Sequence, residues 1–94
     1  MAEATSITGK LIHNVGEMSL YEVRAVATSA ETITIPSNIP VTATSRVSLV
    51  SCNNLTDGTV ATTCAYDDAN TRFTYVESGA SDEDVRILFY VSES

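Results

Sequence analysis

The sequence predicts an all-β domain: a small antiparallel β-sandwich, jelly-roll or Ig-like in layout, or a barrel, of about six to seven strands. Three observations carry this. Apolar residues alternate with polar ones far more often than they recur at helical spacing. Thr, Val, Ile and Tyr dominate the alternating windows, which suits a pleated, half-buried surface. No helical stretch is long enough to cross over between parallel strands.

Along the chain, "TSITGKLI" reads as a short edge strand preceded by a mobile arm, so residues 1–16 are taken as an N-terminal arm and residues 17–94 as the sandwich. "EMSLYEVRAVATSA" reads as a strand with Tyr21, Val23, Ala25 and Ala27 on one face against Leu20, Glu22, Arg24 and Val26. "ETITIP" turns Ile33 and Ile35 inward and Thr32 and Thr34 outward, and Pro36 and Pro40 end it because proline cannot donate to a ladder. "RVSLVSC" sets Val47 and Leu49 against Val50 and Cys52, and "TVATTCAY" aligns Val60, Cys64 and Tyr66. Between these two, Asp57-Gly58 is a favoured pair for a two-residue hairpin turn, while "DDAN" supplies a turn of Asx type. "RFTYV" aligns Phe73 and Tyr75. "SDED" has the pattern of one helical turn capped by Ser81, ahead of the last strand.

That strand, "VRILFYV", is apolar on both faces. Val85, Ile87, Phe89 and Val91 fill a core, which leaves Arg86, Leu88 and Tyr90 outward as a candidate subunit interface. Burying Leu88 and Tyr90 against a neighbour would contribute a few kcal/mol by area. The simpler alternative is that a flanking loop or the N-terminal arm lies over them.

Ninety-four residues allow one domain. The net charge of −7 comes from twelve acids against five basic residues, and from Asp57 onward only Arg72 and Arg86 offset the acids. Such a chain repels phosphate backbones, so nucleic acid and anionic membrane are poor partners and basic protein surfaces better ones. No apolar run approaches the ~20 residues that cross a bilayer, and the start lacks the basic and apolar regions of a secretory signal, which places synthesis in the cytoplasm.

Candidate chemistry is sparse. For a turn at Asp57-Gly58, facing residues sum to 115 and Cys52 and Cys64 sum to 116, so a one-residue bulge would set the two cysteines opposite as a cross-strand disulfide. An unstrained bond closing such a loop contributes roughly 3 kcal/mol. Against it, cytosolic thiols stay reduced and cysteine is a common buried small apolar residue. Zinc would need a second ligand pair, and His13 is the only histidine. Asp67 with Asp68, and Asp82, Glu83 and Asp84, lack the spaced pattern of a calcium loop and read as solvated turns. "NLT" at Asn54 matches a glycosylation sequon but has no secretory signal to accompany it. No nucleophile–base arrangement or glycine-rich phosphate loop is present. The expectation is a non-enzymatic chain with no cofactor and no metal.

The "MAEATSITGKLI" start, the small Thr/Val/Ala-rich strands, the "TDGTVATT" hairpin and the closing "SDEDVRILFYV" together resemble small structural proteins of tailed-bacteriophage virions, in particular capsid decoration (cement) proteins. The likeness covers most of the chain in style and rests on no signature motif. It implies a homo-oligomer, a trimer, located in the virion and bound to the major capsid protein or another virion protein, stabilising the lattice by bridging subunits. It assigns no functional residue. An extracellular adhesion or pilus-like β module, another phage head or tail accessory protein, and a small enzyme or ligand-binding barrel are the competing classes.

Overall fold

The computed structural model describes residues 2–28, 30–42, 44–61, 63–76 and 82–93. Among these residues, eight strands form two antiparallel sheets, as the alternation requires. The larger has the order β1-β2-β8-β4-β5, from strands Thr5–Val15, Met18–Ala27, Glu83–Glu93, Ser45–Asn54 and Thr59–Val60. The smaller has the order β3-β7-β6, from Glu31–Thr34, Arg72–Val76 and Thr63–Asp67.

The last strand, β8, is the middle strand of the larger sheet, with β2 on one side and β4 on the other. Its odd-numbered residues fill the core as alternation predicts: Val85, Ile87 and Phe89 are fully buried and Val91 nearly so. Tyr21, Val23, Ala25 and Ala27 face the same interior from β2, and Ile33, Phe73 and Tyr75 meet them from the smaller sheet. A run of rings crosses the sandwich: Tyr21 to Phe89 at 6.1 Å between centroids, Phe89 to Phe73 at 5.1 Å, and Phe73 to Tyr66 at 5.4 Å. The first pair is stacked and the other two are tilted, both arrangements that aromatic quadrupoles favour.

The N-terminal region is more structured than an arm with a short edge strand. β1 runs eleven residues and forms a hairpin with β2, closed at Gly16, whose φ of +61° suits the first central position of a two-residue turn. Residues before β1 tie the two sheets together. Ala4 N–H donates to the Thr32 carbonyl at 2.8 Å, Thr32 N–H donates to the Ala2 carbonyl at 2.9 Å, and Glu3 accepts from both Thr34 N–H and its hydroxyl. This strap buries Thr32, which alternation by itself turns outward.

Four other expectations are corrected. In β4 a bulge at Val50, between the pairs Leu49–Phe89 and Ser51–Leu88, resets the alternation, so Cys52 joins Val47 and Leu49 on the inner face. The β4–β5 turn spans residues 55–58, not two, because the pairs are Asn54–Thr59 and Asn53–Val60; Asn54 accepts the Asp57 N–H, and Gly58, at φ +73°, donates to the Asn54 carbonyl. "TVATTCAY" is two strands in different sheets, which leaves Val60 exposed and sends Cys64 and Tyr66 to the other layer. At the last strand, Glu83 and Asp84 are already part of β8 instead of a helical turn, and its suggested cap, Ser81, lies outside the described residues. The Asx-type turn at "DDAN" is present as a short 3₁₀ turn, Asp68–Asn70, with Asn70 Nδ2 donating to Asp67 Oδ2 at 2.8 Å.

Candidate interaction face on the larger sheet

The two sheets differ in size, and the site follows from that difference. Strands of the smaller sheet have four or five residues, whereas β1, β2, β4 and β8 have ten or eleven. At ~3.3 Å per residue the smaller layer spans about half the length of the larger. It covers the central strands β2 and β8 and leaves the flanking strands bare toward the end closed by Gly16. Leu11 and Leu49 have inward parity beside buried Tyr21 and Phe89, yet are 50% and 39% exposed. Ile12 and Val50, at the bulges of β1 and β4, and Val15 and Met18 on the outer face are exposed at the same end.

The outer face is built by the even-numbered residues of β2 and β8 and their cross-strand partners. Arg86, Leu88 and Tyr90 point outward as alternation predicts, and all three are half-buried among their neighbours. Leu20 stands beside Tyr90, with His13 and Ser48 beyond on either side; Glu22 stands beside Leu88, with Lys10 and Ser51 beyond. One row further, Thr8, Arg24, Arg86 and Asn53 line up across four strands. Arg46 pairs with Ser92 near the bare end.

The pairing therefore collects Lys10, Arg24, Arg46 and Arg86, four of the chain's five basic residues, on one face. Among the described residues, two carboxylates, Glu22 and Asp84, share it. Four cations less two anions leave the described residues of this face at +2, against −7 for the whole chain. Glu22 lies among the cations, 3.6 Å from Lys10 Nζ and 4.0 Å from Arg86 Nε, and is nearly buried by them. Arg86 Nε itself is buried and has no hydrogen-bond partner among the described residues. Beside this group, Thr8, Gly9, Lys10, Glu22 and Arg24 line a shallow hollow of about 230 Å³. Net charge had pointed to basic partners; the local field of this face favours an acidic one.

Sequence reasoning turned Arg86, Leu88 and Tyr90 outward but did not bring Lys10, Arg24 and Arg46 to the same face. The parity of Arg24 was legible in β2, but its placement opposite Arg86 depends on which strands pair. Of the other candidate residues, His13 is exposed on the edge strand at the margin of this face, next to Leu20, and the rest lie apart. Asp67 is held in the β6–β7 turn by Asn70 and by Arg72 Nε at 3.3 Å, and its carboxyl lies below the usual aspartate range because of the Asn70 hydrogen bond first, with Arg72 adding. Asp82 accepts from the Thr28 hydroxyl, and Glu83 accepts from Asn54 Nδ2 at 2.6 Å. Among the described residues, no three His, Cys, Asp or Glu side chains converge in a way that could hold a metal ion. The sequon residue Asn54 is 0% exposed and hydrogen-bonded to Glu83, out of reach of modification in the folded chain.

Cys52 and Cys64 are both reduced and come from opposite sheets, not from facing positions of one hairpin. They still meet: the Cys52 thiol hydrogen-bonds to the Cys64 sulfur, which lowers the Cys64 pKa against the opposing effect of burial.

No protein-family model matches the chain, and neither a curated protein nor a solved structure was found to match it.

Proposed function

We propose that the chain is a non-enzymatic structural subunit that self-associates through the outer face and bare end of its larger sheet, and that it acts as a capsid decoration protein bridging subunits of a virion lattice. One observation carries the reading: apolar Leu20, Leu88 and Tyr90 lie among four of five basic side chains on a sheet face that no described segment covers, continuous with exposed Val15 and Met18, while Leu11 and Leu49 are exposed on the other side of the same sheet. An apolar surface rimmed by charge on a small soluble domain marks a protein–protein contact.

The occupant is a second copy of the chain. The acids that balance this face lie elsewhere on the same molecule, with Glu31, Asp57, Asp82 and Glu83 near the end opposite the bare one. A face and its complement at different places on one chain make a head-to-tail contact, which closes into a ring when the rotation permits, here a trimer. Joined copies then bind a repeating lattice by avidity, so a modest contact per chain suffices.

Sedimentation velocity over a concentration series tests the self-association. The wild type is expected to sediment as a trimer at micromolar concentration and to dissociate with added salt. The double substitution Leu88→Ser with Tyr90→Ser is expected to remain folded and monomeric. A wild type that stays monomeric at millimolar concentration and low salt rules out the proposal. Co-sedimentation with phage capsids lacking decoration protein tests the lattice role separately.

A further inference from the structure

Cys52 sits on the inner face of β4, opposite Ile87, and is nearly fully buried. Cys64 lies on β6, opposite buried Tyr75, and is half-exposed while packing against the same core. The chain between them passes from one sheet to the other: the Ala61 N–H donates to the Cys52 carbonyl at 3.0 Å, just before β6 begins. The two side chains thus face each other across the sandwich rather than across a ladder. Both pack in the one core cluster between the sheets, and the neighbouring Cys52 thiol lowers the Cys64 pKa.

From this geometry we propose that Cys52 and Cys64 are a redox site: a low-molecular-weight disulfide such as oxidised glutathione converts them into a bond between the two sheets. Cys64 is the attacking residue because it is the accessible one, and its thiolate is stabilised by the neighbouring Cys52 thiol. Its sulfur attacks one sulfur of the small disulfide, breaks the S–S bond and releases one thiolate, leaving a mixed disulfide on Cys64. Cys52 gives its proton to the released thiolate and attacks the Cys64 sulfur, expelling the second small thiol, which takes a proton from solvent as thiolates do. Two protein thiols are oxidised and one small disulfide is reduced to two thiols. The product ties β4 to β6 and closes the connection that carries β5, with its exposed Leu55 and Val60.

The test treats the full chain with oxidised glutathione and follows intact mass and free thiols. The wild type is expected to lose both thiols and two hydrogens in mass, to retain no glutathione, and to yield one peptide pair linking Cys52 to Cys64; reduction with dithiothreitol reverses this. Cys52→Ser is expected to trap glutathione on Cys64, while Cys64→Ser reacts at least ~10-fold more slowly because Cys52 is shielded. A wild type that keeps both thiols, holds a stable glutathione adduct or crosslinks between chains would overturn the assignment. The wild-type mass change decides the matter even if a variant folds poorly.

Discussion

Arg24 on β2 and Arg86 on β8 stand directly opposite each other on the outer face of the larger sheet. Like charges at a cross-strand position are destabilising, by roughly 0.2–1 kcal/mol. Glu22 offsets the repulsion only in part, since its nearest oxygen is 4.0 Å from Arg86 Nε. A free monomer has no use for such a pair, whereas a carboxylate from a neighbouring chain would satisfy both guanidiniums.

Arg24→Thr therefore has two opposite effects. Removing the like charge and placing a β-former on the strand raises the melting temperature of the dilute monomer by a few degrees, from ~0.5 kcal/mol. The same substitution weakens self-association about tenfold and flattens its salt dependence, read by sedimentation equilibrium across a salt series. A variant that assembles as well as the wild type would place the contact elsewhere.

Asn54 is expected to be the most sensitive polar residue. Its amide donates to Glu83 and to Asp57, and its carbonyl accepts the Asp57 N–H, so one buried side chain shapes the β4–β5 turn and fixes the start of β8. Asn54→Ala leaves those groups without their partner and costs about 1–3 kcal/mol in urea unfolding. Asn54→Asp, of equal size, costs more, because it sets a third carboxylate beside Glu83 and Asp57.

Gly9 faces the core where Ile39 and Pro36 close over β1. A Cβ there would lie 2.6 Å from Ile39 Cδ1 and 3.2 Å from both Ile39 Cγ1 and Pro36 Cγ. Gly9→Ala is expected to destabilise by about 1–2 kcal/mol through overpacking. Shortening the neighbour with Ile39→Val removes the nearest atom, so the double variant recovers stability relative to the sum of the two singles, as thermal melts in a double-mutant cycle would show.

Asp67 supplies an acid-sensitive element. Its folded pKa lies below its unfolded one because Asn70 and Arg72 favour the carboxylate. The stabilisation is accordingly present above about pH 4, the ordinary aspartate value, and is lost as pH falls through the folded pKa. Asn70→Ala, which removes the larger cause, is expected to lower the melting temperature at neutral pH and to change it little in acid where the carboxyl is protonated in both states, flattening the profile in between.

Local pattern alone determined the strand content, the inward residues of β2, β7 and β8, and the outward direction of Arg86, Leu88 and Tyr90, because alternation of side chains is a property of each strand by itself. It also paired Cys52 with Cys64, though by a hairpin the chain does not form. Only the tertiary structure decided which sheet each strand joins, and with it the exposed end, the convergence of Lys10, Arg24, Arg46 and Arg86, and the meeting of the two thiols across layers. Those depend on pairing between segments distant in sequence, where one bulged residue such as Val50 moves everything beyond it to the other face.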